Sequence, residues 1–88
     1  MFMHVYPVSY QGDEKYYLSS EQRVINTTQI VSITIKSESP KMETSEQQEK
    51  IEKIFDTKLN NLAIFFLEFS NHKHEYVIGP KSKFENIK

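Results

Sequence analysis

Eighty-eight residues with a formal charge of −1, 38% hydrophobic residues and no cysteine leave room for one hydrophobic core and exclude several classes of function. The length is that of a single domain, 1–88, and the lack of cysteine removes disulfide bracing, thiolate metal sites and thiol nucleophiles. Ten lysines and Arg23 stand against twelve acids, so no global field draws the chain to nucleic acid or an anionic membrane.

Five Tyr and six Phe supply much of the buriable surface, at roughly 150–250 Å² each. The opening MFMHVYPVSY has no basic segment followed by a long apolar one, and the apolar run at 62–67 falls far short of the 18 or so residues of a membrane span. The expectation is a soluble, cytoplasmic protein of a reducing compartment. Its Lys, Asn and Ile usage points to an AT-rich bacterial or phage genome.

In chain order, MHVYPVSY (3–10), the turn signal Gly12-Asp13 and YYLSS (16–20) predict a hairpin. Pro7 lacks a ladder donor and so predicts an edge or bulged first strand. INTTQIVSITIK (25–36) alternates from Gln29, with Val31, Ile33 and Ile35 on one face and Ser32, Thr34 and Lys36 on the other. Ile30 breaks that alternation, where a bend would be natural. Residues 37–44 contain Pro40 and read as a mobile loop.

From Ser45 the period becomes helical. Ser45 with Gln48 has capping-box spacing, Glu46–Lys50 and Glu49–Lys53 are i,i+4 pairs, and Ile51, Ile54, Phe55 and Leu59 form one stripe. This predicts an amphipathic helix over about 45–59. In NLAIFFLEFS (61–70), Ala63, Phe65, Leu67 and Phe69 share one face while Leu62, Ile64 and Phe66 share the other. Asn71-His72-Lys73-His74 reads as a four-residue hairpin link to EYVIG (75–79). Gly79-Pro80 then ends the strand and KSKFENIK predicts a short terminal helix. A strand apolar on both faces needs cover on both. The helix is one cover; the other is a sheet curled like a barrel or a second subunit, and the latter predicts a homodimer.

The order KYYLSS…VINTTQIVSITI…LAIFFLEFSNHKHEYVIGPKSKFENI resembles small β-rich bacterial proteins of the FlbD-like type, with Tyr17, Leu18, Ile25, Asn26, Ile30, Ile33, Phe66, Tyr76, Val77, Phe84 and Ile87 at matching positions. LytTR-type DNA-binding half-domains have a similar rhythm. The loop and helix inserted over 37–61 depart from the FlbD-like pattern, as does the Asn-His-Lys-His turn. The resemblance implies a fold rather than an activity.

For chemistry, no Gly-x-Ser-x-Gly elbow is present, and Gly12 and Gly79 alone cannot build a phosphate-cradling loop. The carboxylates of 38–56 belong to a solvated helix face, so no active site is expected there and no catalytic or cofactor residue is assigned. His72 and His74, with Glu75 or His4, would approach a metal triad only if extended and converging; an exposed hairpin tip is the plainer reading. A nucleic-acid surface would combine Tyr6, Tyr10, Tyr16 and Tyr17 with Lys15, Arg23, Lys73, Lys81 and Lys83, but acids interleave nearly one for one.

These observations predict a small α+β domain with a twisted, mainly antiparallel sheet of four or five strands, one helix and a short C-terminal helix. The expected function is non-enzymatic. It is a regulatory or adaptor module that binds another protein through Tyr6, Tyr10, Tyr16, Ile64, Phe66 and Glu68, with nucleic-acid binding the alternative and no membrane partner.

Overall fold

The computed structural model describes residues 1–19, 21–38, 40–82 and Phe84. Its strands are β1 (Phe2–Gly12), β2 (Lys15–Leu18), β3 (Arg23–Asn26), β4 (Ile30–Ser37), β5 (Lys41–Met42), β6 (Leu62–Phe69) and β7 (His74–Pro80), with one α-helix, α1 (Ser45–Phe55). Single 3-10 turns occupy Thr27–Gln29 and Leu59–Asn61. The class is α+β as expected, but the sheet has seven strands rather than four or five, in the order β4-β6-β7-β1-β2-β5 with β3 also on β1. It is open rather than a closed barrel. It is mixed because β5 pairs with β2 in parallel.

The first hairpin turns on Asp13 and Glu14, both at positive φ, with Gly12 at φ +92° beside them. Two consecutive left-handed residues are what a tight hairpin linking right-twisted strands needs, and glycine takes the neighbouring strain. Of the two outcomes Pro7 predicted, β1 is not an edge strand but is bulged, its register to β2 shifting between Tyr10 and Gly12. β7 flanks one side of it, and β2 and β3 follow one another along the other. The Ser19 N–H donates to the Pro7 carbonyl and the Thr27 N–H to the Met1 carbonyl. Carbonyls of residues an even number apart point the same way, which places β2 and β3 on a single side. Pro7 is tolerated at the centre because its missing donor faces the break between β2 and β3.

α1 begins one residue before the predicted box. The Thr44 hydroxyl accepts from the Gln47 N–H at 3.2 Å, while the Gln47 side chain reaches across and accepts from the Leu18 N–H at 2.8 Å, tying helix to sheet. The helix ends at Phe55 rather than Leu59. Asp56 turns left-handed at φ 52°, a conformation Asp tolerates better than most residues, and the Glu52 carboxylate captures the Leu59 N–H at 2.6 Å. Residues 40–42 do not form the free loop expected for 37–44: Pro40 and Met42 are buried and β5 pairs with β2. Ser39 lies outside the described residues, as does most of the terminal helix predicted over 81–88; within that stretch Lys81 and Ser82 form a turn and Phe84 is buried.

Both faces of β6 are covered by the chain itself. On one face Leu62 and Ile64 pack with Ile78, Val8, Tyr16, Leu18, Met42, Ile51 and Leu59, with α1 above them. On the other, Ala63, Phe65 and Leu67 pack with Val77, Val5, Ile25 and Phe84, flanked by Met3, Ile30, Ile33 and Phe69. This second face is concave. The sheet curls so that β3 and β4, joined by the turn at Thr27–Gln29, approach each other across it, and the Ser70 N–H donates to the Gln29 carbonyl there. The need for a second subunit to cover β6, which motivated a homodimer, therefore disappears.

Candidate functional site

α1 covers Leu62 and Ile64 on the convex face, and further along β6 that cover stops. Antiparallel register sets Phe66 directly between Thr34 of β4 and Tyr76 of β7. The Phe66 ring lies 5.1 Å from Tyr76 and 5.2 Å from His74, both tilted, and His74 meets Tyr76 edge-on at 6.4 Å. Such tilted, offset contacts are the favoured arrangement of aromatic quadrupoles. Beside them the Glu68 carboxylate accepts from the Ser32 hydroxyl at 3.0 Å.

A cleft of about 310 Å³ adjoins this cluster, lined by Tyr10, Glu14, Tyr16, Lys36, Ser37 and Tyr76. It opens because β1 and β7 pair only at Tyr6 and Pro7 and diverge beyond. Tyr10 and Tyr16 face each other at its wall, 5.4 Å apart. Burial pushes the Tyr16 phenol above its ordinary pKa of 10.0, and Tyr10, Tyr76 and Glu14 add to the shift because each disfavours a phenolate among them.

The native state therefore holds this proton more tightly than the unfolded chain does. The stabilisation is whole below pH 10.0 and is lost as pH rises through the raised value. A Tyr16→Phe chain should lose less stability in strong base than the parent; alkaline thermal melts that fall in parallel for the two would contradict the assignment.

Of the residues expected to contact a partner, the structure divides surface from interior. Tyr10 and Glu68 are exposed, Phe66 is half-buried within the aromatic cluster, and Tyr6 lies half under α1 with its ring edge-on to Phe55 at 5.2 Å. Ile64 and Tyr16 are corrections: at 0% and 3% exposure they belong to the core, Tyr16 only edging the wall of the cleft. His74, Tyr76 and Lys36 were missed. Counting strand positions back from the Asn71-His72 turn would have set Tyr76 opposite Phe66.

His72 and His74 do not converge. His72 takes a left-handed turn conformation at φ 67° while His74 stacks on Phe66, and among the described residues no group of three His, Cys, Asp or Glu side chains is placed to hold a metal. Among the cations named for nucleic acid, Arg23 is engaged by the Glu75 carboxylate and Lys83 lies outside the described residues. No helix among those residues is long and apolar enough to cross a membrane. Known protein families, curated proteins and solved structures provide no match to this chain.

Proposed function

We propose that this chain is a non-enzymatic interaction module, an inhibitor or adaptor, that binds a protein partner through the convex surface centred on Phe66, His74 and Tyr76, with Tyr10 and Glu68 at its margin. The observation that carries this reading is the aromatic cluster left uncovered where α1 ends. Aromatic side chains are enriched at the centres of protein interfaces, where a ring offers large contact area for little lost rotamer freedom. Tyr and His keep polar edges toward water, so such a surface stays soluble until it is covered. Acidic Glu68 and Glu14 beside the rings favour a protein partner over a polyanion.

Nucleic acid is the competing reading, supported by Lys36 beside Tyr10 and Tyr76 in the cleft. Both are tested with the parent chain and a Phe66→Ala/Tyr76→Ala variant. In quantitative affinity capture, one or more host proteins should be retained by the parent and depleted at least tenfold with the variant, the loss expected for a hot-spot pair of about 2 kcal/mol or more. Steeply salt-dependent binding of a labelled single-stranded oligonucleotide, with no protein so depleted, would overturn the proposal in favour of nucleic acid.

A further inference from the structure

β4 ends the sheet, and the edge it leaves open matches itself. The strand is eight residues long, Ile-Val-Ser-Ile-Thr-Ile-Lys-Ser, without proline or acidic residue and with one charge near its end. Natural proteins blunt such edges with proline, bulges, inward charges or shortness. The other outer strands conform, since β5 has two residues and β3 four. β4 is blunted only at its ends. Its register to β6 slips between Ile30 and Ser32 and again between Ile35 and Ser37, while Ser32 to Ile35 pair regularly with Glu68 to Phe65. The regular segment leaves its outer backbone edge without a strand partner, with Ile35 on it at 48% exposure and Val31, in the bulge just before it, at 62%.

We propose that two copies of this chain associate by antiparallel pairing of β4 with β4 about a two-fold axis through Ile33, which extends the sheet across both. This inference stands apart from the Phe66 surface, and its test reads association rather than partner capture. An antiparallel two-fold centred on Ile33 puts Val31 of each copy opposite Ile35 of the other, Ser32 opposite Thr34, and Ile33 opposite itself. Within the regular segment Ile33 meets Ile33 on the concave side and hydroxyl meets hydroxyl on the convex side, the pairings that stabilise neighbouring strands, and Val31, at the bulge, comes beside Ile35 of the other copy. A one-residue slip would mix the two rows.

Charge supports the same register. Lys36 reaches the convex face, where it lines the tyrosine cleft, and it makes no ion pair among the described residues. In the dimer it lies diagonal to the second copy's Ser32, whose hydroxyl is already bound by Glu68. Each Lys36 thereby brings a positive charge toward the side of the other copy that carries Glu68, twice by symmetry. The aromatic clusters of the two copies come to lie on one continuous convex face.

The chain has no cysteine, so the register can be read by cross-linking. Under mild oxidation, a mixture of Val31→Cys and Ile35→Cys chains should form a mixed disulfide dimer, because facing residues of paired strands lie within disulfide reach, whereas Val31→Cys alone should stay uncross-linked. Sedimentation equilibrium of the parent should show a monomer–dimer equilibrium, and Val31→Lys/Ile35→Lys should raise its dissociation constant at least tenfold. Circular dichroism checks that the lysine variant remains folded; if it does not, the cysteine pair decides. A parent that stays monomeric over a hundredfold concentration range, or Val31→Cys chains that cross-link as readily alone as in the mixture, would overturn the proposal.

Discussion

A carboxylate at Phe65 will leave no folded protein, whereas the same change one residue further on, at Phe66, will leave the fold in place with a lower melting temperature. Phe65 is 2% exposed on the concave face, its ring 4.5 Å from that of Phe84. Truncating a buried Phe costs about 3–5 kcal/mol, and forcing a carboxyl group into an apolar site adds several kcal/mol more, whether it stays charged or takes up a proton. For a chain of 88 residues the whole stability is about 4–13 kcal/mol, so the loss consumes most or all of it.

Phe66 differs because one side of its ring meets water. A Glu there can turn its carboxylate outward and forfeits mainly the stacking on Tyr76 and His74, each pair being about 0.5–1.5 kcal/mol. The expected cost is about 1–3 kcal/mol, or roughly 4–24 °C in a domain of this size. Circular dichroism and thermal melts separate the two cases. A Phe65→Glu chain that melts cooperatively near the parent temperature would mean that the odd-numbered row of β6 is not interior.

That contrast was legible in the sequence because strand periodicity is local. Alternation along 61–70 assigns Phe65 and Phe66 to opposite faces whatever the tertiary structure, and the change of period near Ser45 marks α1 for the same reason. What covers each face depends on residues far away in the chain. The concave face is closed by Val5, Ile25 and Phe84, which come from both ends of the sequence, and no local pattern announces that they meet.

Pro7 does not mark an edge because its cost depends on what lies beside it, and the break between β2 and β3 is set by tertiary pairing. β3 and β5 are too short for any period to show, although the Asn26 side chain accepting from the Thr28 N–H is the kind of Asx turn that Asn-Thr-Thr could have suggested. In the candidate site, Tyr10, Phe66 and Glu68 were legible as aromatic or charged residues on strands. Ile64 and Tyr16 were not separable from them, since a strand apolar on both faces does not say which part of a face the helix will cover. His74 and Tyr76 joined the cluster only through the hairpin register.

The ring of Phe84 presents the second large effect. It is 5% exposed and, coming after the turn that follows Pro80, lies on Phe65 within a cluster otherwise built from the curled sheet. An open sheet does not cover its own concave face by hydrogen bonding, because backbone pairing fixes the strands and leaves the side chains between them to be filled by whatever folds in. Phe84→Ala removes that filling. The cost belongs at the lower end of the 3–5 kcal/mol for a buried Phe, because water can enter from the side where β3 and β4 remain unpaired. About 3 kcal/mol lowers the melting temperature by roughly 12–24 °C and exposes Phe65, Leu67 and Val77 enough to bind a hydrophobic dye. Phe84→Leu, which keeps most of the volume, should recover more than half of the loss, an effect that separates filling from any role of the ring's own chemistry. A Phe84→Ala chain that melts within 2 °C or so of the parent, with no dye bound, would show that the curl of the sheet alone excludes water, and that the covering of β6 is a property of the strands rather than of the residue that follows them.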